Sequence, residues 1–171
     1  MSFGWFWQYW PLLLEGLWRT LALVALAGVL GTLLAVPVAL AQVRGGFVLA
    51  GLSRGFTTVI RGTPLLVQLY LIYYGVGAIV ADIPAIRYGP LWPYFREGFW
   101  YATVAFTLSV AAYVGEIIRG GLMSVPHGEI EAARAFGMSR FTILRRIWLP
   151  RALQITLPAL SGEAILLLKS T

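Results

Sequence analysis

Residues 20–43 read TLALVALAGVLGTLLAVPVALAQV, an unbroken apolar run between Arg19 and Arg44. A helix needs about 20 largely uncharged residues to cross the hydrocarbon core of a bilayer. This run is long enough, and its leucine, alanine and valine content suits contact with lipid. We therefore predict an all-α membrane protein whose first span lies here.

The composition of the whole chain also favours lipid as the solvent. Of its 171 residues, 59% are apolar or aromatic and only 12% are charged, whereas soluble domains average about 45–50% and about 25%. There is no cysteine and only one histidine, which excludes disulfides, thiolate chemistry and His-rich metal sites. We expect no catalytic residue, no metal ion and no cofactor bound by this chain.

Three further spans are predicted, which makes the protein multi-pass. The runs that predict them are 62–81, 98–115 and a run that begins near Ala152 and is still apolar at Leu168. The first eighteen residues are rich in tryptophan and tyrosine, which is typical of a helix in the headgroup layer. The loop after the second span contains three prolines, which argue against a regular helix there.

Basic residues alternate between the predicted loops. Residues 44–61 hold three arginines and no acid, residues 82–97 are neutral overall, and residues 116–151 hold six arginines against three glutamates. Cytoplasmic loops carry the excess of arginine and lysine, so we expect the N-terminus outside a bacterial inner membrane. Topology thus explains the net charge of +6, and we expect no nucleic-acid partner.

The cytoplasmic segment 116–151 has its own helical pattern. Pro126 suits the start of a helix, and Gly137 suits its end because glycine adopts the left-handed conformation. Ser139 can cap a second helix. That helix is expected to end at Pro150 and to place three apolar side chains on one face, namely Phe141, Leu144 and Trp148. Such a basic hairpin fits either a membrane surface or a cytoplasmic partner.

Segment 116–151 resembles the EAA loop of ABC-importer permeases at every motif position. The matching residues are Glu131, Ala132, Ala133, Gly137, Ile147, Leu149 and Pro150. A second match is Arg61-Gly62-Thr63-Pro64, which resembles the signature of the polar amino-acid branch of that family. The similarity runs from about Thr20 to the end of the chain, and it is closest to permeases for histidine, lysine, arginine or glutamine.

The resemblance implies a fold and a set of partners. The fold would be the type I (MetI-like) ABC-importer transmembrane domain over 1–171, truncated before its last span, because such permeases usually have about five spans. The implied activity is passage of a polar or basic amino acid across the inner membrane. The implied partners are a second permease subunit, identical or different, and an extracytoplasmic amino-acid-binding protein. Two ATPase subunits that bind ATP are also implied, and these contact the EAA loop.

Two polar residues inside predicted spans are candidates for the substrate path. Glu163 lies within the fourth span, where a carboxylate costs several kcal/mol unless it faces a cavity or a partner. It is either a ligand for a cationic amino acid or a structural partner of Lys169 or of an arginine. Gln68, in the second span, is a weaker candidate, because polar residues in spans often only hydrogen-bond across helices.

A membrane-embedded enzyme and a scaffold or channel protein without transport activity are the alternatives. An enzyme would need an intramembrane nucleophile, metal cluster or paired aspartates. The sequence has no HExxH, its one aspartate lies in a predicted outer loop, and no GxxxxGK[ST] phosphate loop occurs. We therefore expect a non-enzymatic subunit, with ATP hydrolysed by a partner.

Overall fold

The computed structural model describes the backbone of residues 4–171 and the side chains of residues 9–171. Every regular element among these residues is helical, which confirms the predicted all-α class. The α-helices are α1 (Gly4–Arg44), α2 (Phe47–Gly62), α3 (Leu65–Tyr70), α4 (Gly77–Ala81), α5 (Pro84–Arg87), α6 (Trp92–Phe95), α7 (Gly98–Ser124), α8 (His127–Ala135), α9 (Arg140–Ile143) and α10 (Leu149–Ser170). Two π-helices, Leu71–Val76 and Leu144–Trp148, join α3 to α4 and α9 to α10.

Among the residues that the structure describes, three helical stretches are long and apolar enough to cross a bilayer, judged by length and composition. They are Tyr9–Arg44, Gly98–Ser124 and Arg140–Ser170. A fourth span arises only if a bent pair is counted as one, because Phe47–Gly62 meets Leu65–Ala81 at 105°. Three of the predicted spans correspond to these long helices, and the predicted second span, 62–81, corresponds to the second arm of the bent pair, Leu65–Ala81.

Helix α1 differs from the prediction at its start. The expected separate helix in the headgroup layer is wrong, because α1 runs without interruption from Gly4 to Arg44. Leucine and tryptophan before Arg19 are good enough helix formers to extend the span. The side chains of Trp5 and Trp7, part of the expected aromatic belt, lie outside the described residues.

Helix α2 was expected to be a loop. Its apolar residues recur at helical spacing, so that Leu52 and Val59 share one exposed face, while Arg54 and Arg61 lie on the other. The loop with three prolines also differs in detail, because α5 and α6 each form one turn with a proline in the first two positions. Proline is tolerated there because the first N–H groups of a helix have no partner within it.

Helix α7 forms the centre of the structure and packs mainly against α1 and α10. Small residues let α1 approach it closely, and Ala27, Ala35 and Ala39 are fully buried. At Gly31 a β-carbon would lie 2.5 Å from Cβ of Val110. Close helix contact through small residues replaces the hydrophobic driving force that lipid removes.

Pro150 does not interrupt the last helix, contrary to the prediction. It occupies one of the first two positions of α10, and the stretch from Arg140 to Ser170 is continuous. The preceding turn is π-helical, and Leu149 N–H donates to Leu144 O, five residues earlier. A widened turn of this kind accommodates a proline whose missing N–H would interrupt a regular α-helix.

Candidate functional site

The first half of the EAA-like segment is a short helix with a defined stop. Helix α8 follows Pro126, as predicted, and ends before Gly137, whose φ of 75° lies in the left-handed region. Gly137 N–H donates to Arg134 O at 2.9 Å, and Met138 N–H donates to Ala133 O at 3.2 Å. This pair of hydrogen bonds is a Schellman motif, which confirms Gly137 as the helix stop.

The three residues of the EAA triplet do not face the same way. Glu131 and Ala132 are exposed, whereas Ala133 is only 4% exposed and packs in the core beside Ile130. The resemblance to the EAA loop implies that an ATPase contacts this triplet. Ala133 has almost no exposed surface for such a contact, and its small size serves packing inside this chain.

The second half of the segment begins with the predicted Ser139 cap, but its apolar side chains do not share one face of the helix as predicted. Ser139 Oγ accepts a hydrogen bond from Thr142 N–H at 3.2 Å. Phe141 is 70% exposed and does not share a face with the half-buried Trp148, because the π-helix shifts the register. Of the remaining motif residues, Ile147 and Leu149 pack against the core, while Pro150 is exposed.

Three side-chain contacts anchor this segment to the long helices. Trp148 Nε1 donates to Leu122 O of α7 at 2.8 Å. The guanidinium of Arg44, at the end of α1, lies 4.7 Å from the centre of the Trp148 ring. Arg151 Nε lies 3.3 Å from Glu129 Oε1 and joins α10 to α8. Trp148 therefore joins the last helical stretch to α7 and α1, and the Glu129–Arg151 pair joins α8 directly to α10.

The Arg61-Gly62-Thr63-Pro64 stretch forms the bend between α2 and α3. Thr63 is extended (φ −115°, ψ 140°), as expected for a residue before proline. Its hydroxyl donates to Val59 O at 2.9 Å. The guanidinium of Arg61 lies 5.3 Å from the ring centre of Tyr113 in α7.

Gln68 closes this bend. It is 7% exposed, and its Nε2 donates to Ile60 O at 2.7 Å and to Thr63 O at 3.0 Å. Through these contacts Gln68 hydrogen-bonds across the bend between α2 and α3, as polar residues in membrane spans often do between helices. Gln68 is not among the residues that line the cavity beside Glu163.

Glu163 lies at a cavity of about 190 Å³ between α1, α7 and α10. Gly28, Thr32 and Val110 contribute to the wall. Its carboxylate makes no hydrogen bond or ion pair with any described residue, Lys169 included. Arg61 is the cation that acts on it electrostatically. The carboxylate is thus half-buried and available to a ligand.

Glu116 and Arg119 form an ion pair near the end of α7, at the i, i+3 spacing that favours such pairs on a helix, with Arg119 Nε 2.8 Å from Glu116 Oε1. Helix α7 continues beyond them to Ser124, so the predicted segment 116–151 begins inside a long helix. Sequence reasoning missed Phe136, which is 88% exposed directly before Gly137. The sequence feature that could have indicated it is an aromatic residue at the end of a mostly polar segment, directly before the glycine that stops the helix.

The fold has relatives among solved structures. The crystal structure of an amino acid ABC transporter with histidines matches this chain with a TM-score of 0.78 and 36% identity, over 99% of this chain and 73% of that one. Together with the glycine-stopped helix on three long apolar helices, this match defines the class. The fold is the transmembrane permease domain of type I, MetI-like ABC importers.

Sequence comparison narrows the class to a family. The chain is 45% identical to the octopine transport system permease protein OccM of Rhizobium radiobacter, over 96% of this chain and 66% of that protein. It is 42% identical to the histidine/lysine/arginine/ornithine transport system permease protein HisM of Salmonella typhimurium, over 96% of this chain and 72% of that protein. The chain spans just under two thirds of the octopine permease.

Residues 11–171 match the family described as binding-protein-dependent transport system inner membrane component. The chain belongs to this family, whose members are membrane transport components and not enzymes. Both the family and the structure indicate an inner-membrane protein with several apolar helices.

Proposed function

We propose that this chain is a permease subunit of an ABC importer for a polar or basic amino acid. The observation that carries the proposal is the exposed helix α8, which is stopped by Gly137 and belongs to a segment whose side chains contact all three long helices. The family membership supports it, as do relatives named for the transport of octopine or of histidine, lysine, arginine and ornithine. The second permease subunit and the extracytoplasmic binding protein belong to this proposal.

Helix α8 is the proposed contact with a separate ATPase. Glu131 offers a charge, and the small Ala132 lets a partner approach the helix backbone. The exposed ring of Phe136 adds an apolar anchor, and aromatic residues of this kind supply much of the energy of protein interfaces. ATP is bound and hydrolysed by that partner, and closure of the ATPase pair moves α8 together with the long helices as rigid bodies.

The test of coupling is Gly137→Val in the reconstituted complex. A β-branched residue at φ 75° is strained by roughly 1–2 kcal/mol, so the turn should open and α8 should lose its position. Membrane insertion should be normal, while substrate should no longer stimulate ATP hydrolysis. Gly120→Val is the matched control, because Gly120 has no positive φ and open space around it. Normal stimulation in Gly137→Val would refute the coupling role.

Glu163 is the proposed contact for the cationic group of the substrate. A carboxylate at a cavity in a low-dielectric region attracts a guanidinium or ammonium group strongly. Glu163→Gln keeps the shape and removes the charge, so uptake of arginine or histidine should fall at least tenfold, with ATPase assembly unchanged. Unchanged uptake would exclude this role of Glu163 in substrate binding.

The orientation is proposed from the arginine distribution, with the N-terminus outside and α8 in the cytoplasm. Because the chain has no cysteine, single cysteines report accessibility without background. A membrane-impermeant maleimide added to intact cells should label Ile83→Cys and leave Ala132→Cys unlabelled until the membrane is opened. The reverse pattern would overturn both the orientation and the ATPase contact.

A further inference from the structure

A second polar cavity lies away from Glu163, between α1, α2 and the end of α7. Its volume is about 540 Å³. Most of its polar wall comes from Gln42, Arg54, Thr58, Arg61, Glu116 and Arg119. No residue of the EAA-like motif lines it. The cavity opens at the arginine-rich end of the molecule, which is proposed to be cytoplasmic.

Positive charge predominates in this cavity. Its wall holds three arginines and one carboxylate, and Arg119 already engages that carboxylate, Glu116, at 2.8 Å. Arg54 has no carboxylate partner within the described part of the chain. Arg61 lines the cavity beside the ring of Tyr113 and makes no hydrogen bond or ion pair within the described part of the chain. The charges therefore favour an anion.

Gln42 provides a separate indication that a hydrogen-bond acceptor belongs here. It is only 5% exposed, and its Nε2 makes no hydrogen bond of standard geometry among residues 9–171. The side chain approaches the Glu116 carboxylate as a hydrogen-bond donor, so it is directed towards the cavity and not towards the apolar core. A glutamine amide has two N–H donors, and an anion in the cavity would accept from the one that Glu116 does not engage.

Helix α2 indicates what kind of anion fits. Val48, Leu52 and Val59 are 70%, 68% and 61% exposed, and by helical spacing they lie on the opposite face from Arg54. The bend of 105° after Gly62 turns α2 away from the direction of the next span. An amphipathic helix with arginines on its polar face suits the boundary between headgroups and acyl chains. Basic pockets between membrane helices on the cytoplasmic side bind acidic lipid headgroups.

We propose that this cavity binds the phosphate group of an anionic phospholipid. Arg54, Arg61 and Gln42 donate to the phosphate oxygens, and the acyl chains lie along the apolar face of α2. The site does not depend on the transport proposal, because lipid binding needs neither substrate nor nucleotide. Loss of lipid binding and loss of transport can therefore be measured independently, and a negative result for one proposal does not decide the other.

The test is native mass spectrometry of the full chain in detergent, with phosphatidylglycerol, phosphatidylcholine or glycerol 3-phosphate added. One phosphatidylglycerol should be retained per chain, in preference to phosphatidylcholine, and glycerol 3-phosphate at the same concentration should not displace it. Arg54→Gln removes one charged donor and should weaken retention about tenfold, as expected for loss of one hydrogen bond between charged groups. Arg145→Gln is the control, because Arg145 is exposed and does not line the cavity.

A second readout covers the case in which a variant is less stable. Phosphatidylglycerol should raise the melting temperature of the unmodified chain and of Arg145→Gln, but not that of Arg54→Gln. Equal retention in both variants, or equal retention of phosphatidylcholine, would refute the site. Complete displacement by glycerol 3-phosphate would show that a soluble phosphate, and not a lipid, is the ligand.

Discussion

Two breaks in the helical chain, at Pro64 and Pro126, have the same local chemistry. The residue before each proline is extended, with ψ of 140° and 128°, because proline disfavours the helical conformation of the residue before it. Proline has no N–H. The carbonyls of Ile60 and Leu122, four residues earlier, therefore lack the donor that a continuing helix would supply.

The two carbonyls are satisfied from different places. Gln68, only eight residues from Ile60, donates to it at 2.7 Å, so the first break is closed within its own segment. Trp148 donates to Leu122 O at 2.8 Å from 26 residues away. The first break is thus a fixed bend. The second joins the end of α7 to the last helical stretch, Arg140–Ser170, and in the proposed coupling it transmits movement between them.

Gln68→Leu should produce the largest loss of stability. Leucine keeps the volume but removes the donor, which leaves two carbonyls at the bend, Ile60 O and Thr63 O, without their side-chain partner. The free energy of unfolding should fall by about 2–3 kcal/mol, measured as a lower melting temperature in detergent. Gln154→Leu makes the same change at an exposed site and should have little effect. Reduced uptake with an unchanged melting temperature would instead place Gln68 in the substrate path.

Local signals in the sequence predicted the second break well. The start of α8 after Pro126, its stop at Gly137 and the Ser139 cap are each set by backbone conformations of neighbouring residues, so they can be read without the fold. The Glu116–Arg119 pair is local in the same sense, because its two residues are one turn apart. The spans followed from apolar length alone.

Features that depend on distant contacts could not be predicted. The inward orientation of Ala133 depends on which core residues meet α8, and the continuity of the helix through Pro150 depends on a π-helical turn. The bend after α2 requires Gln68 to reach back to Ile60. No local pattern shows that Trp148 replaces the donor that Pro126 lacks, because the two residues meet only after α7 and the last helix pack.

Trp148→Phe should have a smaller effect on stability and a specific effect on coupling. Phenylalanine keeps much of the ring packing but cannot donate to Leu122 O, so the free energy of unfolding should fall by about 1 kcal/mol. Stimulation of ATP hydrolysis by substrate should fall severalfold in the reconstituted complex. Trp100→Phe is the control, because the Trp100 indole makes no hydrogen bond among the described residues. Full stimulation in Trp148→Phe would mean that the two breaks do not differ in function.

Glu129→Gln should have the smallest effect. The substitution removes the charge that pairs with Arg151 at 3.3 Å. The side chains of Glu129 and Arg151 are 36% and 48% exposed, and such exposed pairs contribute only about 0.5 kcal/mol or less to the free energy of unfolding. The melting temperature and the stimulation of ATP hydrolysis should stay close to those of the unmodified chain. Glu15→Gln, which breaks an even more exposed pair with Arg19, provides the comparison for stability. If Glu129→Gln uncoupled the complex as strongly as Trp148→Phe, the surface ion pair would be the link between α8 and the last helix, and the indole hydrogen bond would only support packing.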